Sequence, residues 1–298
     1  MSQVAIQQLL FDTPLDQIVN VASVRHLSPF RYPGGKTWLI PRIRQWLRHP
    51  IKEFIEPFAG GGIVSLTVAA EKLAQHVTMV ELDEQVAAVW QTIFTDNQAD
   101  WLAEKIVRFD LTRDSLLEEL ARTPASTAER AFQTILKNRT FHGGILAAGS
   151  APLKEGENGR GIKSRWYAET LKKRILEIAQ LRARVTVIKG DGFDILQQFA
   201  IQADAAFFID PPYTAAGKKA GQRLYTHYEL DHAELFRLSA SLSGDFLMTY
   251  ENSPGIRELA DQYGFDLEAV AMKNNHHAEM TELLIGRQLA WARSTAWS

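Results

Sequence analysis

Apolar and polar positions alternate in two kinds of block along this chain. Short, nearly unbroken apolar runs recur, each stopped by glycine, proline or an acid, and between them lie longer stretches with apolar residues three or four apart. The first kind reads as strands buried on both faces, the second as amphipathic helices, so their alternation predicts a parallel α/β sheet. Strands are expected at 53–58, 77–83, 185–188, 206–209, 246–250, 265–272 and 282–285. Helices are expected at 37–47 (Thr37 a candidate cap), 63–73, through Val86, Val89 and Trp90, at 167–182, through Leu196 and Phe199, at 231–242 and after Pro254. The rhythm breaks at Asp96, where two or three short helical segments run to Lys137 before a stretch rich in Gly, Pro and Lys up to Arg165. Residues 1–27 form an N-terminal extension, and 214–228 a polar loop.

Chemistry gathers at the predicted strand ends. The run 206–209 is halted by Asp210-Pro211-Pro212-Tyr213, which sets an acid at the carboxyl end of a strand, with a tyrosine beside it on a stiff turn. A carboxylate next to an aromatic face suits a planar group bearing hydrogen-bond donors, such as a nucleobase amine; taken alone, the motif equally suits a solvated acid in a tight turn. Glu56-Pro57-Phe58-Ala59-Gly60-Gly61-Gly62 reads as strand and glycine turn ahead of a helix. Glu81 follows at the distance, about 20 residues on, where such units hold a ribose-binding acid. Asp83 is better placed as a helix cap, whereas Asp191, in Gly190-Asp191-Gly192, could cap a helix or meet a ligand. Upstream, Tyr32-Pro33-Gly34-Gly35-Lys36 sets a cation beside two glycines without Walker spacing, so a ligand loop and an ordinary turn both fit.

Composition narrows the classes. The 298 residues include no cysteine, which excludes disulfides, thiolate metal sites and cysteine nucleophiles. With no apolar run near ~18 residues and no charged leader before one, the expectation is a soluble, cytoplasmic protein with no membrane contact. His276 and His277 lack spaced partners, and no metal is expected. The net charge of -2 argues mildly against a polyanion partner, but residues 137–174 carry nine Lys and Arg against three acids. One basic, glycine-rich, aromatic-bearing segment in an otherwise acidic chain suits local contact with nucleic acid.

As a set, Tyr32 to Lys36, Glu56 to Gly62, Glu81 and Asp210 to Tyr213 resemble the Dam family of DNA adenine-N6 methyltransferases, over roughly residues 28–286. Asn138-Arg139, Phe141 and the glycines after it resemble that family's recognition hairpin, and 279–285 its final strand. The resemblance implies a Rossmann-like, seven-stranded S-adenosylmethionine-dependent fold with a mainly helical target-recognition domain inserted after the second strand. It divides the chain into a catalytic domain (28–94 and 166–298) and a recognition insertion (95–165). It further implies a cofactor site of Tyr32, Gly35, Lys36, Glu56, Pro57, Phe58, Gly60, Gly62, Glu81, Asp191 and Asp210. Within it Lys36 and 58–62 meet the methionine end, Glu81 the ribose and Asp191 the adenine. Asp210, Pro211, Pro212 and Tyr213 would be catalytic. Asn138, Arg139, Phe141, His142, Arg160, Lys163 and Arg165 would contact double-stranded DNA from which the target base is flipped, and a cognate restriction endonuclease is a candidate partner. An RNA adenine methyltransferase and a non-catalytic DNA-binding protein on the same scaffold are the alternatives. The stretch 145–161 has no clear counterpart in the family, so the target sequence is not legible.

Overall fold

Strand β1 (Ile51–Glu56) ends where Pro57 removes the next ladder donor, two residues short of the predicted end. Phe58 consequently belongs to the turn. The computed structural model describes residues 24–31, 35–49, 51–156, 159–212, 230–273 and 279–293. Tyr32, Tyr213, most of the N-terminal extension, the 214–228 loop, His276 and His277 lie outside the described residues.

The other strands are β2 (Ala74–Glu81), β3 (Val185–Lys189), β4 (Ala205–Ile209), β5 (Asp245–Glu251), β6 (Asp266–Lys273) and β7 (Glu279–Gly286). They form a seven-stranded sheet in the order β3-β2-β1-β4-β5-β7-β6. Pairing is parallel from β3 to β5, and β7 enters antiparallel between β5 and β6. Strand order reverses between β1 and β4, and open α/β sheets take ligands in the crevice at such a switch point, beyond the carboxyl ends of the strands.

The sheet is buried on both faces, which is why its central strands are continuously apolar. Phe54, Val77 and Phe208 face one core; Ile55, Phe207 and Ile209 face the other. On the first face lie α1 (Ile40–Trp46), α2 (Ile63–Glu71) and α3 (Glu84–Phe94). Between α3 and β3 the chain forms α4 (Ala99–Arg108), α5 (Arg113–Ala121), α6 (Thr127–Thr140) and α7 (Ala168–Ala179). α6 packs on α3 and α4 on α7, so the core runs unbroken from Phe54 to Leu102, Phe132 and Ile175. The second face carries α8 (Gly192–Gln198), α9 (His232–Ser241) and α10 (Pro254–Gln262). Thr37 does not cap a helix; it lies inside a 3-10 turn, Lys36–Leu39, that Gly35 precedes.

Candidate active site

Four strand ends deliver acids to the switch point: Glu56 closes β1, Glu81 closes β2, Asp191 follows β3 and Asp210 follows β4. They line a cavity of about 270 Å³ together with the glycine turn, Phe30, Lys36, Phe58, Leu82, Arg174, Phe193, Pro211 and Pro212.

The glycine turn is shaped by contacts only glycine permits. Gly62 has φ +65°, and a Cβ there would lie 2.7 Å from Met79 Cε and 2.9 Å from the Trp90 ring. Trp90 Nε1 donates to the Gly60 carbonyl at 3.0 Å. Glu81 stitches the turn to β2, accepting from the Gly60 amide and the Asp83 amide, each at 2.8 Å. Asp83 caps α3 through the amides of Gln85 and Val86. Asp191 caps α8, accepting from the Phe193 amide at 2.9 Å while also bordering the cavity. A Cβ on Gly192 would meet the Pro57 carbonyl at 2.6 Å, so the loops after β1 and β3 touch only because that residue is glycine.

Burial dominates the electrostatics. It pushes the Glu56 carboxyl up to about 8, helped by Asp210 and Glu81 and opposed by the Ser65 amide that donates to it at 3.1 Å. Burial likewise pushes Glu81 up to about 7. Asp210 Oδ1 receives Lys36 Nζ at 3.0 Å and the Thr249 hydroxyl at 2.7 Å. The same lysine reaches Glu282 Oε1 at 3.5 Å. Buried between two acids, Lys36 is fixed in place.

The arrangement fits S-adenosylmethionine on two counts. Five acids stand against Lys36 and Arg174 among the described lining residues, and a ligand bearing sulfonium and ammonium charges is favoured there because it draws the raised Glu56 and Glu81 carboxyls into their ionised forms. Leu82, 43% exposed at the mouth, and the edge-to-face pair Phe58–Phe193, with centroids 6.3 Å apart, offer apolar flanks for a planar ring. Glu81 has lone pairs beyond the two its backbone donors use.

The expected DNA contacts divide. His142, Arg160 and Lys163 are exposed and Arg165 is partly buried. Asn138 is fully buried and its amide is committed within the protein. It accepts from the Arg31 amide at 2.9 Å and donates to the Arg31 and Gly144 carbonyls at 2.9 and 2.7 Å. Phe141 is buried in the first core. Asn138 and Phe141 thus build the base of the expected hairpin from behind, and the polar atoms of Asn138 are not presented outward as a DNA contact requires. Among the described residues, that hairpin is a single antiparallel bridge, Phe141 with Pro152. Arg139 is buried as well.

Sequence reasoning missed Phe30, Leu82, Arg174, Phe193, Thr249 and Glu282. The position of Leu82, directly after the strand-end acid, was a usable signal; Thr249 and Glu282 enter from strands distant in sequence.

A doubly wound sheet with acids and glycines at its switch point defines a nucleotide-type ligand site. Residues 32–274 match the family described as D12 class N6 adenine-specific DNA methyltransferase, and the chain belongs to that family. It is therefore an enzyme that methylates adenine N6 in DNA. It is 24% identical to type II methyltransferase M.MjaIII of Methanocaldococcus jannaschii over 233 residues, covering 72% of this chain and 78% of that protein. It is 23% identical to type II methyltransferase M1.LlaDCHI of Lactococcus lactis subsp. cremoris over 281 residues, covering 87% and 95%. Among solved structures it overlays on an rRNA methyltransferase, AviRa of Streptomyces viridochromogenes, with TM-score 0.38 and 14% identity over 93% of this chain and 96% of that one. Among the described residues no helix is long and apolar enough to cross a membrane, and no cluster of His, Asp and Glu could hold a metal ion.

Proposed function

We propose that the chain methylates an adenine flipped out of a specific double-stranded DNA sequence, using S-adenosylmethionine held at the switch point. The observation that carries this reading is Asp210, fixed at the cavity by Lys36 and Thr249. When bound, the cofactor supplies an electrophilic methyl group on a positively charged sulfur. The rest of the catalysis falls to the chain.

The lone pair of adenine N6 is delocalised into the ring, so the amine is a poor nucleophile. Asp210 and the Pro211 carbonyl accept its two hydrogens, which favours a pyramidal nitrogen with its lone pair localised. Pro212 stiffens the turn so that these acceptors keep their places. Alignment of this kind supplies most of the acceleration that an in-line displacement needs. Tyr213 is assigned the stacking face for the extruded base, because a base inside a duplex cannot be reached.

Tyr32, Gly35, Lys36, Glu56, Pro57, Phe58, Gly60, Gly62, Glu81 and Asp191 are assigned to the cofactor, with Glu81 on the ribose, Asp191 on the adenine and Lys36 at the methionine end. The catalytic unit is 28–94 with 166–298, and 95–165 is the recognition unit. His142, Arg160 and Lys163, exposed on that unit, support duplex DNA as its partner. Because both curated relatives are named type II methyltransferases, a cognate restriction endonuclease is the companion proposed. Asp210→Ala tests the reading: DNA methylation should vanish while cofactor affinity, read by calorimetry, stays within about tenfold. Near-normal turnover would refute the assignment.

A further inference from the structure

A buried cation ordinarily has an acid beside it. Arg139, in the last turn of α6, does not. It is 5% exposed, its Nε is buried with no acceptor, and among the described residues its guanidinium has no hydrogen-bond or ion-pair partner. Burial, with Arg174, Arg31 and Arg165 and against Tyr167, lowers its pKa to about 10. The cluster is held by the fold. Asn138 clamps the Arg31 backbone on both sides, and Arg174 Nη1 donates to the Ser28 carbonyl at 3.3 Å. Ser28 and Arg174 also line the active-site cavity, so the cluster adjoins it.

A buried guanidinium without an acceptor, with the partly buried Arg31, Arg165 and Arg174 around it, opposes folding unless an anion joins it. We propose that a phosphodiester of the target strand, beside the flipped nucleotide, completes this cluster, with Arg139 at its base and Arg31, Arg165 and Arg174 around it. Guanidinium forks match the paired oxygens of a phosphate, and several around one anion suit a group with more than one free oxygen. Such a contact sets register on the duplex and carries no base information. Arg139 is thereby a positioning residue for the strand being methylated, not a reader of its sequence. The inference rests on the base-flipping reading given above.

The test uses the unaltered protein and duplexes containing its mapped site. Phosphates of the target strand are replaced one at a time by uncharged methylphosphonate. One position flanking the target adenine should lower affinity by about tenfold or more, as loss of a charged hydrogen bond does. Arg139→Met should lose a similar factor on unmodified DNA, equally for cognate and random duplexes, and the methylphosphonate should then add little. A scan with no sensitive flanking phosphate overturns the proposal, and so does a loss in Arg139→Met confined to the cognate duplex. A loss confined to cofactor affinity would assign the anion to the cofactor's carboxylate and overturn it too. If Arg139→Met fails to fold, the scan on the unaltered protein decides alone. Flipping is followed separately with a fluorescent adenine analogue at the target: an unaltered protein that methylates without extruding it refutes the underlying reading, whatever the scan gives.

Discussion

Asp210 is held from two sides, and Thr249 is the partner that can be removed with least disturbance. The threonine is fully buried in β5 and donates to Asp210 Oδ1 at 2.7 Å. Thr249→Val keeps the shape and deletes the donor, so the carboxylate gains freedom at the strand end while the cofactor pocket stays intact. Turnover should fall about tenfold, the scale of one hydrogen bond to a charged group, with cofactor affinity unchanged. Thr249→Ser should restore most of it. Equal losses in the valine and serine variants would mean that packing, not the hydroxyl, matters. The raised carboxyls make a second prediction. Protonated Glu56 and Glu81 are favoured in the folded state, with pKa values of about 8 and about 7, so the folded protein binds more protons than the unfolded chain above pH ~4.5. Stability without cofactor should therefore fall as pH rises from about 5 through 8, by an amount on the order of a few kcal/mol. Glu56→Gln should flatten part of that slope in thermal melts, and a slope unchanged by it would refute the assignment. A cationic ligand should favour the ionised acids, so cofactor binding should release protons, read as a dependence of the calorimetric heat on the buffer's ionisation enthalpy.

At the scale of elements, the strands at the switch point were legible because burial on both faces leaves a continuous apolar signature, as in Ala206 to Ile209. The acids at their ends were legible because glycine and proline punctuate the same places. β7 was harder: the apolar run in the sequence covers only Leu283 to Ile285, yet the strand pairs from Glu279 to Gly286. The burial of the hairpin base was not legible, for a physical reason. Asn138 looks like a surface recognition residue in sequence, but its partner Arg31 is 107 residues away, and only the fold shows the amide spent on that backbone. Asn138→Ala should therefore destabilise the protein, by about 1–3 kcal/mol for each buried backbone group left unpaired. Urea unfolding measures this, and a variant as stable as the parent would show that the clamp is dispensable. Gly62→Ala should also destabilise, because the added methyl meets Met79 and Trp90 and φ is positive; overpacking of this kind costs roughly 1–3 kcal/mol.

Across the whole molecule, the helices between β2 and β3 are a structural part of the sheet's first face. The sequence marks where the rhythm breaks at Asp96, but not that Leu102, Phe132 and Ile175 share a core with Phe54. Helix periodicity reports which side of a helix is apolar and is silent on what that side meets. The arrangement sets Arg174 of α7 in the cavity lining and Asn138 of α6 against the backbone of Arg31. The direct measurement is to incubate the protein with double-stranded DNA and cofactor labelled in its methyl group, then digest the DNA and separate the nucleosides. Label should appear in N6-methyldeoxyadenosine, at one sequence, and disappear with Asp210→Ala. Label in another nucleoside, label in RNA but not in DNA, or no transfer by folded protein would contradict the account.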